Sequence, residues 1–244
     1  MGKIKTAGEN YRFWDSWKEK TPLEDRYVQS LEKALEWLEK QPFIANILTT
    51  YVKGSFVFRE INERSDIDLV PVLRESEQLI KVREIRNKNK GMLKPVEILP
   101  ISLEELRSNE RESRLEFKGL PDHFTLLMSY HKLVYGESLD TTEFKVRSME
   151  KVRDGIVAAF NKYFIPGYET GHFGFQQIVK QFSHLFYWQE RLKGKDFPPS
   201  WKGIKENCDH PLLKETLYFR QHLTKDENVR AKYIEDVNTF IQNL

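Results

Sequence analysis

The residues of this chain best suited to chemistry lie in one stretch, "YVKGSFVFREINERSDIDLVPVL", residues 51–73. Asp66 and Asp68 stand one residue apart at the mouth of an apolar run. Side chains alternate across a strand, so both carboxylates fall on one face. Taking such charges out of water is costly unless something compensates them. Magnesium or manganese with oxygen ligands does so, and magnesium is commonly held by one or two carboxylates together with substrate phosphates. Upstream, Gly54 allows close backbone approach. The Ser55 hydroxyl and free amides at the start of a short helix expected over "FVFREI" would form an anion site. Lys53 is within reach of a phosphate there, although a lysine in such a place is more often simply exposed. A phosphate cradle and a metal pair on adjacent strands describe a triphosphate site.

These residues need strands and helices to place them. Tyr27, Leu31, Leu35 and Leu38 recur at helical spacing within a helix over 24–40, closed by Pro42. "NILTTYV", 46–52, reads as the close of a helix and a strand, and 66–73 as a strand buried on both faces. A polar helix, "ESEQLIKVREIRNKNK", precedes a third strand, "KPVEILPI", 94–101. Glu97 is a charge in the middle of that apolar strand, which needs a reason. Pro71, Pro95 and Pro100 imply bulges or strand ends. "SLEE", 102–105, is a capping box opening a short helix. From about residue 120 the pattern is helical. "DHFTLLMSYHKLVYG" places Phe124, Leu127, Met128, His131 and Val134 on one face. Segments 143–164 and 173–192 and the C-terminal stretch from Val229 to Leu244 follow suit, with loops at 165–174 and 193–201. No strand is expected in this half. The joint falls near 135–143, giving domains 1–138 and 139–244.

Gly54-Ser55, ten intervening residues, Asp66-Ile67-Asp68 and then Glu97 on a later strand resemble the signature of the DNA polymerase β-type nucleotidyltransferase superfamily. With a helical second half, the layout is similar to small enzymes that adenylylate aminoglycosides and related antibiotics. It is also similar to minimal nucleotidyltransferases paired with helical toxin partners. Two departures stand out. The loop "FREINER" has no glycine where many members carry one, and the third acid is Glu where many have Asp.

The resemblance implies an α+β nucleotidyltransferase fold, a short mixed sheet with flanking helices, followed by an all-α bundle, with the site in the cleft between them. It implies that Asp66, Asp68 and Glu97 are the catalytic and metal-binding residues, with Mg2+ or Mn2+, and that Gly54, Ser55 and Lys53 bind the nucleotide. The implied reaction is transfer of a nucleoside monophosphate, AMP from ATP ahead of other NTPs, to a hydroxyl of a small, antibiotic-like acceptor. Two alternatives stay open. One is a non-catalytic, antitoxin-like module that binds a nucleotide or a partner, and the other is an enzyme acting on protein or RNA.

Composition narrows the field. The chain has 244 residues, 39% hydrophobic and 31% charged, with a net charge of +2. It can bury a core, and it lacks the strong basic excess of a protein that holds nucleic acid by bulk charge. One cysteine, Cys208, excludes an internal disulfide and a cysteine-based zinc site, which fits a cytoplasmic setting. The first residues lack the apolar core of a signal peptide, and the Gly2/Thr6 match to a myristoylation pattern is treated as chance. No membrane partner is expected, and a homodimer is compatible with the sequence. The six histidines show no ligand spacing, and His131 reads as a hydrogen-bonded core residue. "KVREIRNKNKGMLK" carries six Lys/Arg against one acid; it reads first as a solvated helix face and second as a contact for an anionic partner.

Overall fold

The computed structural model describes residues 11–111, 120–222 and 224–244. The Gly2/Thr6 pattern lies outside these. The chain divides into two compact units, Met1–Val146 and Arg147–Leu244. Residues Leu139 and Phe144 pack within the first unit.

The first unit is a five-stranded mixed sheet with helices. Helix α1, Pro22–Glu39, is capped by Thr21 and buries Tyr27, Leu31, Leu35 and Leu38. Strand β1, Ile47–Lys53, pairs antiparallel with β2, Ile67–Leu73. Helix α2, Gln78–Leu93, crosses to β3, Val96–Ile98, which lies parallel to β2. A two-residue strand β4, Ile101–Ser102, continues along β2. The expected strand over 94–101 is therefore two short pieces, flanked and split by Pro95 and Pro100. Val70 and Pro71 fall between the stretches of β2 that β3 and β4 engage. That gap explains how a proline sits inside an internal strand without costing a ladder bond. Ser102 caps α3, Leu103–Ser108, in the expected box with Glu105.

The expected helix over 122–136 is corrected. Only α4, Asp122–Leu126, is α-helical; a 3-10 turn follows, and Lys132–Gly136 forms β5, antiparallel to the other edge of β1. The basic segment departs from a solvated face too, because Arg83 and Arg86 are buried. The sheet has two apolar faces. Val52, Ile67, Leu69, Val96 and Ile98 pack with α1 and α2, whereas Tyr51, Val70 and Val72 pack with Phe124 and Phe144.

The second unit is all helical. Helix α5, Met149–Ala159, starts at the Ser148 cap and runs through a π segment, Phe160–Phe164, into α6, Ile165–Glu169. The helix thus begins later than expected, leaving Val146 exposed, and part of the expected 165–174 loop is helical. Helix α7, Phe175–Leu192, buries Phe182, Leu185, Phe186, Tyr187 and Trp188. It packs against α5 and α9, Pro211–Gln221; α8, Trp201–Asn207, and α10, Glu227–Gln242, complete the unit. Tyr233 and Val237 of α10 are buried, whereas Val229 and Leu244 are exposed, so the apolar face is shorter than its spacing implied. Among the described residues no helix is long and apolar enough to cross a membrane.

Candidate active site

Strand pairing sets Lys53 opposite Asp68 and Asp68 opposite Glu97, one row across β1, β2 and β3. Paired residues share a face, so all three side chains project on the side away from α1 and α2. Ile67 and Leu69, pointing the other way, are fully buried and hold β2 in this register, because a slip of one residue would drive Asp68 into the core. Asp66 immediately precedes β2, outside the strand, and is exposed, so the expected alternation with Asp68 does not fix its side chain on the face of the row. Asp66 and Glu97 line one cavity. The Lys53 ammonium lies 3.5 Å from Asp68 Oδ2.

Gly54 follows Lys53 with φ +83°, and a Cβ placed there would stand 3.1 Å from Asp68 Oδ2. Glycine is required twice over, for the left-handed backbone and for the close approach to the carboxylate. The residues after it form a reversing turn, not the expected short helix. Val57 N–H bonds the Gly54 carbonyl at 3.1 Å and Glu60 N–H bonds the Ser55 carbonyl at 2.9 Å. The Ser55 amide donates to no acceptor among the described residues, so the turn still offers an N–H group to an anion, whereas Phe56 is fully buried.

Three contacts hold this loop. The Phe56 ring is fully buried beside Phe13 and Trp17, with centroids 6.0 and 5.2 Å away; burial of such a ring contributes about 1.5–3 kcal/mol. Tyr27 of α1 donates its hydroxyl to the carbonyls of Asn62 and Ser65, at 3.0 and 2.8 Å, just before Asp66. Arg59 takes the left-handed conformation, φ +58°. It thereby occupies the kind of position for which a loop usually uses glycine. Its guanidinium forks onto Glu24, Nε to Oε1 at 2.7 Å and Nη2 to Oε2 at 2.9 Å, and also meets the Glu19 carbonyl.

Glu24 thus serves both the cap of α1 and the loop. Its carboxyl is held down at about 2, first by the Arg59 hydrogen bonds and, against the effect of burial, by the Thr21 amide and hydroxyl. A carboxyl depressed from 4.5 in the folded state stabilises the fold above pH 4.5, and that contribution is lost as pH falls toward 2. Melting temperatures of the wild type and Glu24→Gln between pH 6 and 2 check this. The wild type should lead at pH 6 and lose its lead on acidification; a constant gap would contradict it.

His131 is corrected from its expected place on a helix. It precedes β5, stacks on Phe124 with centroids 4.7 Å apart, and its buried Nδ1 has no hydrogen-bond partner. Burial, and secondarily the Lys53 charge, push its pKa down to about 3, so the imidazole is neutral beside the row. Arg59, Glu24, Tyr27 and His131 are the residues that motif reading missed.

Among the described residues no group of three His, Cys, Asp or Glu side chains is gathered closely enough to hold a metal ion. The donor set nonetheless suits a hard cation. Asp66, Asp68 and Glu97 are all carboxylates, Asp68 and Glu97 share one side of the sheet, and Asp68 already holds a cation, the Lys53 ammonium.

No family model matches the sequence, and no curated protein matches it. Among solved structures the chain is similar to spectinomycin adenyltransferase AAD(9) from Enterococcus faecialis, crystallised with ATP and spectinomycin. The TM-score is 0.58 at 17% identity, over 89% of this chain and 99% of that one. At that identity the likeness is one of fold. The chain has the nucleotidyltransferase fold followed by a helical C-terminal region, as expected from its sequence.

Proposed function

We propose that the chain is a metal-dependent nucleotidyltransferase that moves a nucleoside monophosphate, AMP from ATP, to a hydroxyl of a small-molecule acceptor. One observation carries the reading: Asp68 lies in a row with Lys53 and Glu97, and Gly54 backbone is packed against its carboxylate. The similar structure holds ATP and spectinomycin, which supports both a nucleotide donor and a small acceptor.

In this reading Gly54 backbone and the Ser55 amide and hydroxyl receive the β- and γ-phosphates. Asp66, Asp68 and Glu97 would hold Mg2+ or Mn2+, which would supply charge neutralisation for the phosphates and the departing pyrophosphate. Glu97 accepts the proton of the acceptor hydroxyl. That oxygen forms a bond to the α-phosphorus, the bond from the α-phosphorus to the bridging oxygen breaks, and pyrophosphate leaves. Positioning and charge neutralisation then supply most of the rate. Lys53, 3.5 Å from Asp68 Oδ2, would serve a nucleotide phosphate.

The Lys53–Asp68 pair also favours a second reading. A lysine that permanently takes the cation's place would suit a module that binds a partner without turnover. Mn2+ binding followed by electron paramagnetic resonance separates the two. The proposed enzyme binds Mn2+ in the presence of ATP, loses that binding in Asp68→Asn, and gains Mn2+ affinity without nucleotide in Lys53→Met. If wild type takes no Mn2+ even with ATP, and Lys53→Met does, the second reading prevails.

A further inference from the structure

We propose that His131 is a positioning residue for Lys53: its imidazole accepts a hydrogen bond from the Lys53 ammonium, drawing it off Asp68 so that Asp68 is free for a cation and Lys53 faces the nucleotide phosphates. This rests on the nucleotidyl-transfer reading above. The sheet sets the two residues side by side. Antiparallel pairing puts Tyr51 opposite Leu133 and Val52 opposite Lys132, so the next step of this register brings Lys53 to His131. His131 stands just before β5, with extended backbone at φ −87° and ψ 155°, so the register alone does not fix its side chain. Its contacts do. The ring stacks on Phe124, which packs edge-on against Tyr51, and Tyr51 shares the face of Lys53. The Lys53 charge is also one of the two influences that lower the His131 pKa. The row therefore reads His131, Lys53, Asp68, Glu97. Next to it the Tyr130 ring meets Phe58 at 6.5 Å, so this segment borders the turn that follows Gly54.

Core packing alone is a poor account of this histidine. Its buried Nδ1 has no hydrogen-bond partner, a cost that Phe or Leu stacked on Phe124 would not carry. A neutral imidazole offers one nitrogen as an acceptor while the other keeps the proton, and an ammonium carries three donors. Lys53 is the donor at hand, and it is loosely held. Its side chain is 33% exposed, and its 3.5 Å approach to Asp68 Oδ2 is too long for a good hydrogen bond. With one proton given to Nδ1, the ammonium keeps two for phosphate oxygens, and the Asp68 carboxylate loses its competing cation. His131 thus satisfies its own buried nitrogen only in the arrangement that the reaction needs.

The test needs no turnover. Affinity for Mn2+ together with a non-hydrolysable ATP analogue is read from the electron paramagnetic resonance signal of protein-bound Mn2+. The proteins are wild type, His131→Phe, His131→Leu and His131→Asn, each also in the Lys53→Met background, with melting temperatures on the same preparations. Two apolar variants are used so that one remains if the other does not fold. His131→Asn keeps an acceptor near the place of Nδ1. We expect the apolar variants to bind Mn2+ about tenfold more weakly than wild type, the scale of one hydrogen bond to a charged group, and His131→Asn to stay within about threefold of wild type. In the Lys53→Met background all three substitutions should leave the affinity unchanged, because no ammonium remains to be moved. Unchanged affinity in the apolar variants would overturn the proposal. So would an equal loss with Lys53→Met, which would mark a packing effect, or a loss in His131→Asn as large as in the apolar variants. Failure of wild type to bind Mn2+ with the analogue would instead remove the nucleotidyl-transfer reading, and this inference with it.

Discussion

Asp68→Asn is expected to abolish acceptor-dependent pyrophosphate release, lowering it by about a thousandfold or more while leaving the protein folded. Metal-assisted charge stabilisation is worth several kcal/mol in the transition state, and about 4 kcal/mol corresponds to that factor. Asp68 sits centrally in the row, next to Lys53 on one side and Glu97 on the other. Asp66→Asn should act in the same direction, since Asp66 shares the cavity with Glu97. Both carboxylates are at least partly exposed, so their replacement should move the melting temperature by only about 2 °C, as partly exposed substitutions usually do. A large loss of melting temperature in either variant would mean that these acids serve the fold and not the chemistry.

Gly54→Val should cost both activity and stability. The backbone there has φ +83°, and a Cβ would press against Asp68 Oδ2 at 3.1 Å. A β-branched residue in that conformation carries strain of about 1–3 kcal/mol. Relief requires the turn or Asp68 to shift, and a displacement of about 1 Å near reacting groups is enough to cost about a hundredfold in rate. Activity and thermal melting on the same preparation check this. Gly171 has φ +73° but open space around its Cβ position, so Gly171→Val serves as a comparison with backbone strain and no contact with the row. Equal activity losses in the two variants would show that strain alone, and not the approach to Asp68, accounts for the effect.

The row itself was legible because charges interrupt apolar strands only for a reason. Asp66 and Asp68 announce themselves at the mouth of "DIDLVPVL", and Glu97 inside "KPVEILPI". The loop between Gly54 and Asp66 was not legible. Its left-handed position is filled by Arg59 in place of glycine, and the residue that holds it, Glu24, lies 35 positions away. In the sequence Glu24 looks like half of an ordinary capping box, which it also is. The absent glycine in "FREINER" was the available signal, because a loop that must turn left-handed without glycine needs an outside anchor. Strand β5 was missed because "KLVYG" is too short for its spacing to separate a strand from a helical turn. Only its pairing with β1 decides the matter, and that pairing is a contact between residues 80 or more positions apart. The basic stretch of α2 reads first as a solvated surface and second as a contact for an anionic partner, and the burial of Arg86 depends on β3 lying beside it.

The most direct test of the central claim is pyrophosphate release from ATP and Mg2+ by the wild type, Asp66→Asn and Asp68→Asn. The acceptors would be spectinomycin, other aminoglycosides and lincosamides, phosphorylated sugars, RNA and candidate proteins. The proposed enzyme gives release that depends on one class of small acceptor and disappears in both variants. If ATP neither binds with Mg2+ nor yields pyrophosphate above the level of the two variants with any acceptor, the chain is not a nucleotidyltransferase, and the fold serves another purpose.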